Sequence, residues 1–236
     1  MANKKYTPRQ RARRRKIMIR RAVVLLLTVI VTIGFVSSVV GIVSFFKGIV
    51  YDEGFTPAPY GSNQSKKVKQ AKETEIPDFI EEDLIQKHST ARTGILLSDI
   101  KYVVVHYVGN PDTSAQNNRD YFNKLTTDVS SHFVVGLDGE IIQCVPLYEK
   151  SAASNERNKD SISIEVCHPD STGKFNEETY KSLVKLTAWL CNEFSLDYSS
   201  ILRHYDITGK QCPKYYVENP DEWDKFLEDV EEVMNE

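Results

Sequence analysis

From Ala22 to Phe46 the chain is apolar at almost every position (AVVLLLTVIVTIGFVSSVVGIVSFF), and no charge interrupts those 25 residues. As a helix the run is about 37 Å long at ~1.5 Å per residue, enough to cross a hydrocarbon layer of about 30 Å with some tilt. The pattern predicts one transmembrane helix over 22–46. A cleaved leader fits less well, because its apolar region is shorter and ends in a small-residue cleavage site that is missing here.

Beyond it the pattern changes. Residues 47–75 are rich in Pro, Gly, Ser, Lys and Gln without an apolar period, and read as a linker. Ile76–Ser89 carries scattered apolar residues that suit a leading arm packed on the folded body. That compact body is expected over 76–236, long enough for one buried core. Lys101–Tyr107 (KYVVVHY) is a continuous apolar run, as in a strand covered on both faces. Asp138-Gly139 between His132–Leu137 and Glu140–Val145 predicts a hairpin with a two-residue turn. Ser161–Cys167 (SISIEVC) alternates, placing Ile162, Ile164 and Val166 on one face and Ser163, Glu165 and Cys167 on the other. A short helix is expected over 117–125 with Tyr121, Phe122 and Leu125 on its apolar side. Asn176 caps a helix through Phe194, and Asn219-Pro220 opens a last one with Trp223, Phe226, Leu227, Val230 and Val233 at helical spacing. The fold class that results is α/β, a mixed central β-sheet flanked by helices, preceded by the transmembrane helix.

Charge orients this arrangement. Residues 1–21 hold ten Lys and Arg and no acid, while the rest of the chain has 20 basic against 33 acidic residues. A basic arm reads either as a nucleic-acid contact or as a topology signal. The apolar run beside it selects the second: a cytoplasmic tail over 1–21, with the linker and body outside a plasma membrane. No nucleic-acid partner is expected. At 41% hydrophobic and 27% charged the composition is that of a globular protein, and four Cys in 236 residues are too few for a disulfide scaffold. Gly34 and Gly41 do not form a G-x-x-x-G pair, so no helix-pairing motif speaks for self-association.

Candidate chemistry rests on scarce residues. His204 and Cys212 lie eight apart in RHYDITGKQCP, a loop-like segment with Gly209 and Pro213. Two such ligands can close on one ion, and His106, at the end of the first strand, can supply a third. Two His and one Cys with an open position is the donor pattern of a catalytic zinc. Taken singly, His106 reads first as a satisfied core or turn histidine. Glu165, an acid within an apolar strand, is either an exposed edge carboxylate or a general base beside the metal. Lys210 is either a solvated lysine or a cation for a developing oxyanion.

Taken together, VVVHYVGNPDTSA, SSHFVVGLDGEIIQCVP, SISIEVC and ILRHYDITGKQCPKYY resemble the type 2 N-acetylmuramoyl-L-alanine amidases, a family sharing its fold with peptidoglycan-recognition proteins. The likeness runs from about Thr90 to Trp223. It implies zinc held by His106, His204 and Cys212, a catalytic Glu165, Lys210 in the basic position before the third ligand, and cleavage of the amide between N-acetylmuramic acid and L-alanine of peptidoglycan. Two departures stand out. The stretch matching the family's Trp-His-Ala-Gly is Lys150-Ser151-Ala152-Ala153-Ser154, without histidine, and Ser131 replaces a common Tyr. The remaining histidines are read as structural (His132) or as surface residues (His88, His168), and Cys191 as core. Cys144 and Cys167 would pair only if their strands were neighbours. Two other functions are carried as alternatives: a non-catalytic peptidoglycan-binding module, and a cysteine hydrolase using Cys212 or Cys167 as nucleophile.

Overall fold

The computed structural model describes residues 65–87 and 89–236. The basic tail, the apolar segment 22–46, the linker up to residue 64 and His88 lie outside the described residues. Among those described, no helix is long and apolar enough to cross a membrane.

A six-stranded mixed sheet forms the centre. Its strands are β1 (Glu81–Glu82), β2 (Tyr102–Tyr107), β3 (Phe133–Val135), β4 (Ile141–Gln143), β5 (Ser161–Val166) and β6 (Ile201–Arg203), in the order β1-β4-β3-β5-β2-β6. Only β3 and β4 pair antiparallel; every other neighbour is parallel. The helices are α1 (Lys66–Gln70), α2 (Ala115–Phe122), α3 (Glu177–Glu193), α4 (His204–Thr208), α5 (Lys214–Glu218) and α6 (Pro220–Met234).

Alternation along β5 divides the molecule as its sequence implies. Ile162, Ile164 and Val166 are buried in the larger core with Val103 and Val105 of β2 and Leu183, Leu186 and Leu190 of α3. Full burial of an aliphatic side chain of this size stabilises by about 1.5–3 kcal/mol. Glu165 and Cys167 point to the opposite face, where a smaller core contains Val134, Ile142 and Phe122. Helix α3 starts where Asn176 accepts a hydrogen bond from Thr179 N–H at 2.9 Å, with Glu177 and Glu178 in its first turn favouring the helix dipole. Helix α6 begins at Pro220 and buries Trp223, Phe226 and Val230.

Several expectations are corrected. The hairpin loop is three residues, Leu137–Gly139, because Gly136 and Glu140 remain paired (Gly136 N–H to Glu140 O, 2.8 Å) and Gly139 takes the left-handed conformation (φ +81°). Helix α2 starts earlier, at a capping box between Ser114 and Asn117, and ends at Phe122. Of its expected apolar face only Phe122 is buried; Tyr121 and Leu125 are exposed. The packed body reaches back to α1, whose Val68 lies in the larger core together with Ala71. Four of the residues there are Lys or Gln, so one buried valine leaves no apolar period to read. Cys144 and Cys167 are free thiols, since β3 separates their strands.

His132 is fully buried and structural. Its Nδ1 accepts the Ser163 N–H at 3.0 Å, so Nε2 carries the proton and donates to Glu149 O at 2.8 Å. Burial lowers its pKa to about 4. An unfolded histidine titrates near 6.5, so as pH falls through that value the unfolded chain takes up the proton first and stability declines until the folded imidazole also titrates. The difference amounts to about 3 kcal/mol. The difference in urea-unfolding stability between the unsubstituted chain and His132→Gln will therefore be constant above about pH 6.5 and fall progressively down to about pH 4. A difference that stays flat across that window would contradict a neutral buried His132.

Candidate metal centre

Three parallel strands end side by side, and each delivers one polar side chain to the same mouth. His106 is opposite Glu165 in the β2–β5 register. Strand β6 pairs Val105 with Arg203 and then passes directly into α4, so His204 emerges next to His106. Their rings are 4.6 Å apart, edge to face. Open α/β sheets collect ligands at such carboxyl ends of strands.

Cys212 arrives by a return of the chain. Helix α4 ends at Gly209, whose φ of +76° allows its N–H to reach Tyr205 O at 2.8 Å. Cys212 O then accepts from Tyr205 N–H at 2.9 Å, closing the loop onto the start of α4. The segment read as a loop is thus half helix, and that turn brings Cys212 back to His204.

The ligand atoms of His106, His204 and Cys212 lie within 4.8 Å of one another, and all three residues are buried. The outer nitrogens are occupied: His106 Nε2 is 3.1 Å from Ser154 Oγ, and His204 Nε2 is 2.9 Å from Asn155 Oδ1. Inward, His106 Nδ1 is 3.8 Å from Cys212 Sγ, and His204 Nδ1 is enclosed with no hydrogen-bond partner among the described residues. An orphaned imidazole nitrogen beside a thiol and a second imidazole suits a borderline-soft cation, since that donor set is zinc's. Burial, then the charges of His204 and Lys210, hold His106 well below the usual histidine range; burial likewise lowers His204. Neutral imidazoles are the form a metal takes. Burial pushes the Cys212 thiol up to about 12, while the Tyr107 backbone hydrogen bond and Lys210 draw it down.

Glu165 is partly buried, with Oε2 enclosed and lacking a partner among the described residues. Burial raises its pKa to about 8 and Lys210 opposes that rise. Lys210 is exposed at the rim. All five residues border one groove of about 220 Å³, whose walls also include Tyr107, Asn118 and Ala152. His168, expected at the surface, is instead buried: Nδ1 is 2.6 Å from Asp170 O and its ring is 5.1 Å from that of Tyr107. Ser154, the end of the stretch matched to Trp-His-Ala-Gly, and Asn155 join the site although neither reads as a site residue in the sequence. Their contacts with the histidines span 48 and 49 residues, and no local motif announces them.

Residues 97–215 match the family profile described as N-acetylmuramoyl-L-alanine amidase, Amidase_2. The chain belongs to this amidase family. Among its relatives are N-acetylmuramoyl-L-alanine amidase CwlL of Bacillus licheniformis, 28% identical over 169 residues, and N-acetylmuramoyl-L-alanine amidase BlyA of Bacillus subtilis (strain 168), 32% identical over 165 residues. The matches cover 64% and 61% of this chain but 46% and 44% of those proteins, so the amidase-family chain spans under half of each. A mutant endolysin from Bacillus subtilis has a similar structure, with 27% identity, a TM-score of 0.57 and coverage of 64% of this chain and 97% of its own. The catalytic domain of XlyA is comparable at 26% identity and a TM-score of 0.56, covering 64% of this chain and 98% of its own. The mixed sheet with flanking helices is the fold this chain shares with these two structures.

Proposed function

We propose that this chain is a zinc-dependent N-acetylmuramoyl-L-alanine amidase that cleaves the amide between N-acetylmuramic acid and L-alanine of peptidoglycan. The observation that carries the reading is the convergence of His106, His204 and Cys212 on one point beside an enclosed Glu165 oxygen. Family membership supports the same reaction. The apolar segment 22–46 behind ten basic residues supports a further part of the proposal: a single-pass anchor with the cytoplasmic tail inside and the hydrolytic body outside a plasma membrane.

His106, His204 and Cys212 would hold the zinc. When bound, zinc supplies Lewis-acid polarisation of the scissile carbonyl and acidifies water. Glu165 has the proton work: a carboxylate in a poorly solvated site accepts a proton from the attacking water and returns it to the departing amine nitrogen of L-alanine. Lys210, exposed at the rim, offers its ammonium to the oxygen on which negative charge grows. The groove walls limit water and orient the amide. A thiol hydrolase lacks support, because activated cysteines have lowered pKa values whereas burial pushes both Cys212 and Cys167 up to about 12.

The full-length chain, purified in detergent and assayed on muropeptides, will release stem peptides with free L-alanine amino termini. Elemental analysis will find about one zinc per chain, the single four-coordinate site expected of three protein ligands and one open position. A chelator will abolish release and added zinc will restore it. Turnover indifferent to the chelator, or products still joined at that amide, would overturn the reading.

A further inference from the structure

We propose that Ser154 and Asn155 are positioning residues for the metal centre, holding both imidazoles with Nε2 protonated so that both Nδ1 lone pairs are left for the ion. The inference rests on the zinc reading above. It also makes a claim about the protein without metal.

The hydrogen-bond inventory forces the assignment at His204. Asn155 Oδ1, 2.9 Å from Nε2, can only accept, so Nε2 carries the hydrogen. Nδ1 is then a lone pair, consistent with its lacking any acceptor nearby. Turning the amide round would present an N–H₂ donor, move the hydrogen to Nδ1 and leave a buried donor unpaired, at a cost of about 1–3 kcal/mol. At His106 the Ser154 hydroxyl, 3.1 Å from Nε2, can accept in the same sense, and Nδ1 is 3.8 Å from Sγ.

The two side chains sit on one stiff corner. Asn158 Oδ1 accepts from the backbone N–H groups of Ala153 at 3.0 Å and Ser154 at 2.6 Å, and Arg157 N–H donates to Ser154 O at 2.9 Å. Ser154 is completely buried. Asn155 has a φ of +52°, in the left-handed region that asparagine tolerates better than most residues. Position 155 thus has two demands, an accepting side chain and a left-handed backbone, and Asn meets both. Outer hydrogen bonds of this type fix ring orientation and raise the basicity of the inner nitrogen.

The two demands can be separated experimentally. Asn155→Gly keeps the left-handed backbone free of strain and deletes only the acceptor; Asn155→Asp restores an acceptor. Zinc affinity of the full-length protein, measured by competition with a chromophoric chelator, is expected to fall about 10–100-fold in Asn155→Gly, to fall likewise in Ser154→Ala, and to recover in Asn155→Asp. A second readout needs no metal. In zinc-free protein labelled with ¹⁵N-histidine, His204 will show the Nε2–H tautomer, and Asn155→Gly will relax it to a mixture. Undiminished zinc affinity in both Asn155→Gly and Ser154→Ala, or an Nδ1–H tautomer at His204 in the unsubstituted protein, would overturn the proposal. If the unsubstituted chain binds no zinc, the metal reading fails by itself, and the tautomer measurement still decides the positioning.

Discussion

Replacing Cys212 with serine will remove zinc and hydrolysis together while leaving the fold in place. A serine hydroxyl is close in size to the thiol but does not ionise near neutral pH and is a hard, weak ligand, whereas thiolate is soft and charged. The loop that presents residue 212 is fixed through its main chain, by the Tyr205 N–H to Cys212 O bond, so the substitution changes the donor and not its place. Losing an outer hydrogen bond typically weakens metal binding about 10–100-fold, and loss of a direct ligand will exceed that. Zinc content, circular dichroism and muropeptide turnover measured on one preparation check this. Unchanged turnover in Cys212→Ser would reject the metal assignment.

Glu165→Gln will produce the opposite pattern: zinc retained, turnover lost. The amide fills the same volume but cannot take a proton, and removing a general base costs roughly 10²–10⁴-fold. In the zinc-free protein the variant will also unfold at a higher temperature near neutral pH. Burial raises the folded pKa of Glu165 to about 8, so the folded state favours the protonated acid, and this group opposes folding increasingly as pH climbs from its unfolded value toward 8. Glutamine has no such liability, and a gain in stability on disabling a functional group is the expected trade-off. A variant with full turnover, or one that has lost zinc along with activity, would contradict the role assigned to Glu165.

Much of the scaffold is legible because burial writes a period into the chain. The valine run of β2 and the alternation of β5 identify central strands, and Asn176 marks the start of α3. Where burial depends on remote partners the signal fades. Val68 looks like a stray apolar residue in a lysine-rich stretch until the larger core closes over it. His168, between Cys167 and Pro169, reads as a surface residue, yet the Tyr107 ring covers it. The aromatic residues of helix α2 suggest its place, whereas the Ser114 capping box decides its start and leaves Tyr121 in solvent. At the site, His106, His204 and Cys212 stand out by being scarce and by falling in recognisable motifs. Ser154 and Asn155 are common polar residues whose significance comes from being across from imidazoles about fifty positions away.

The His106–Glu165 pairing of β2 with β5 has a consequence for how such a domain tolerates change. Side chains of a strand alternate between faces, so inserting or deleting one residue ahead of either partner would rotate it into the oily layer beneath α3 and bring a valine or isoleucine to the mouth in its place. Substitutions can accumulate in connecting segments that carry none of the site residues, and the constellation will survive. A frame error of one position within either central strand ends it, even in a chain that still folds.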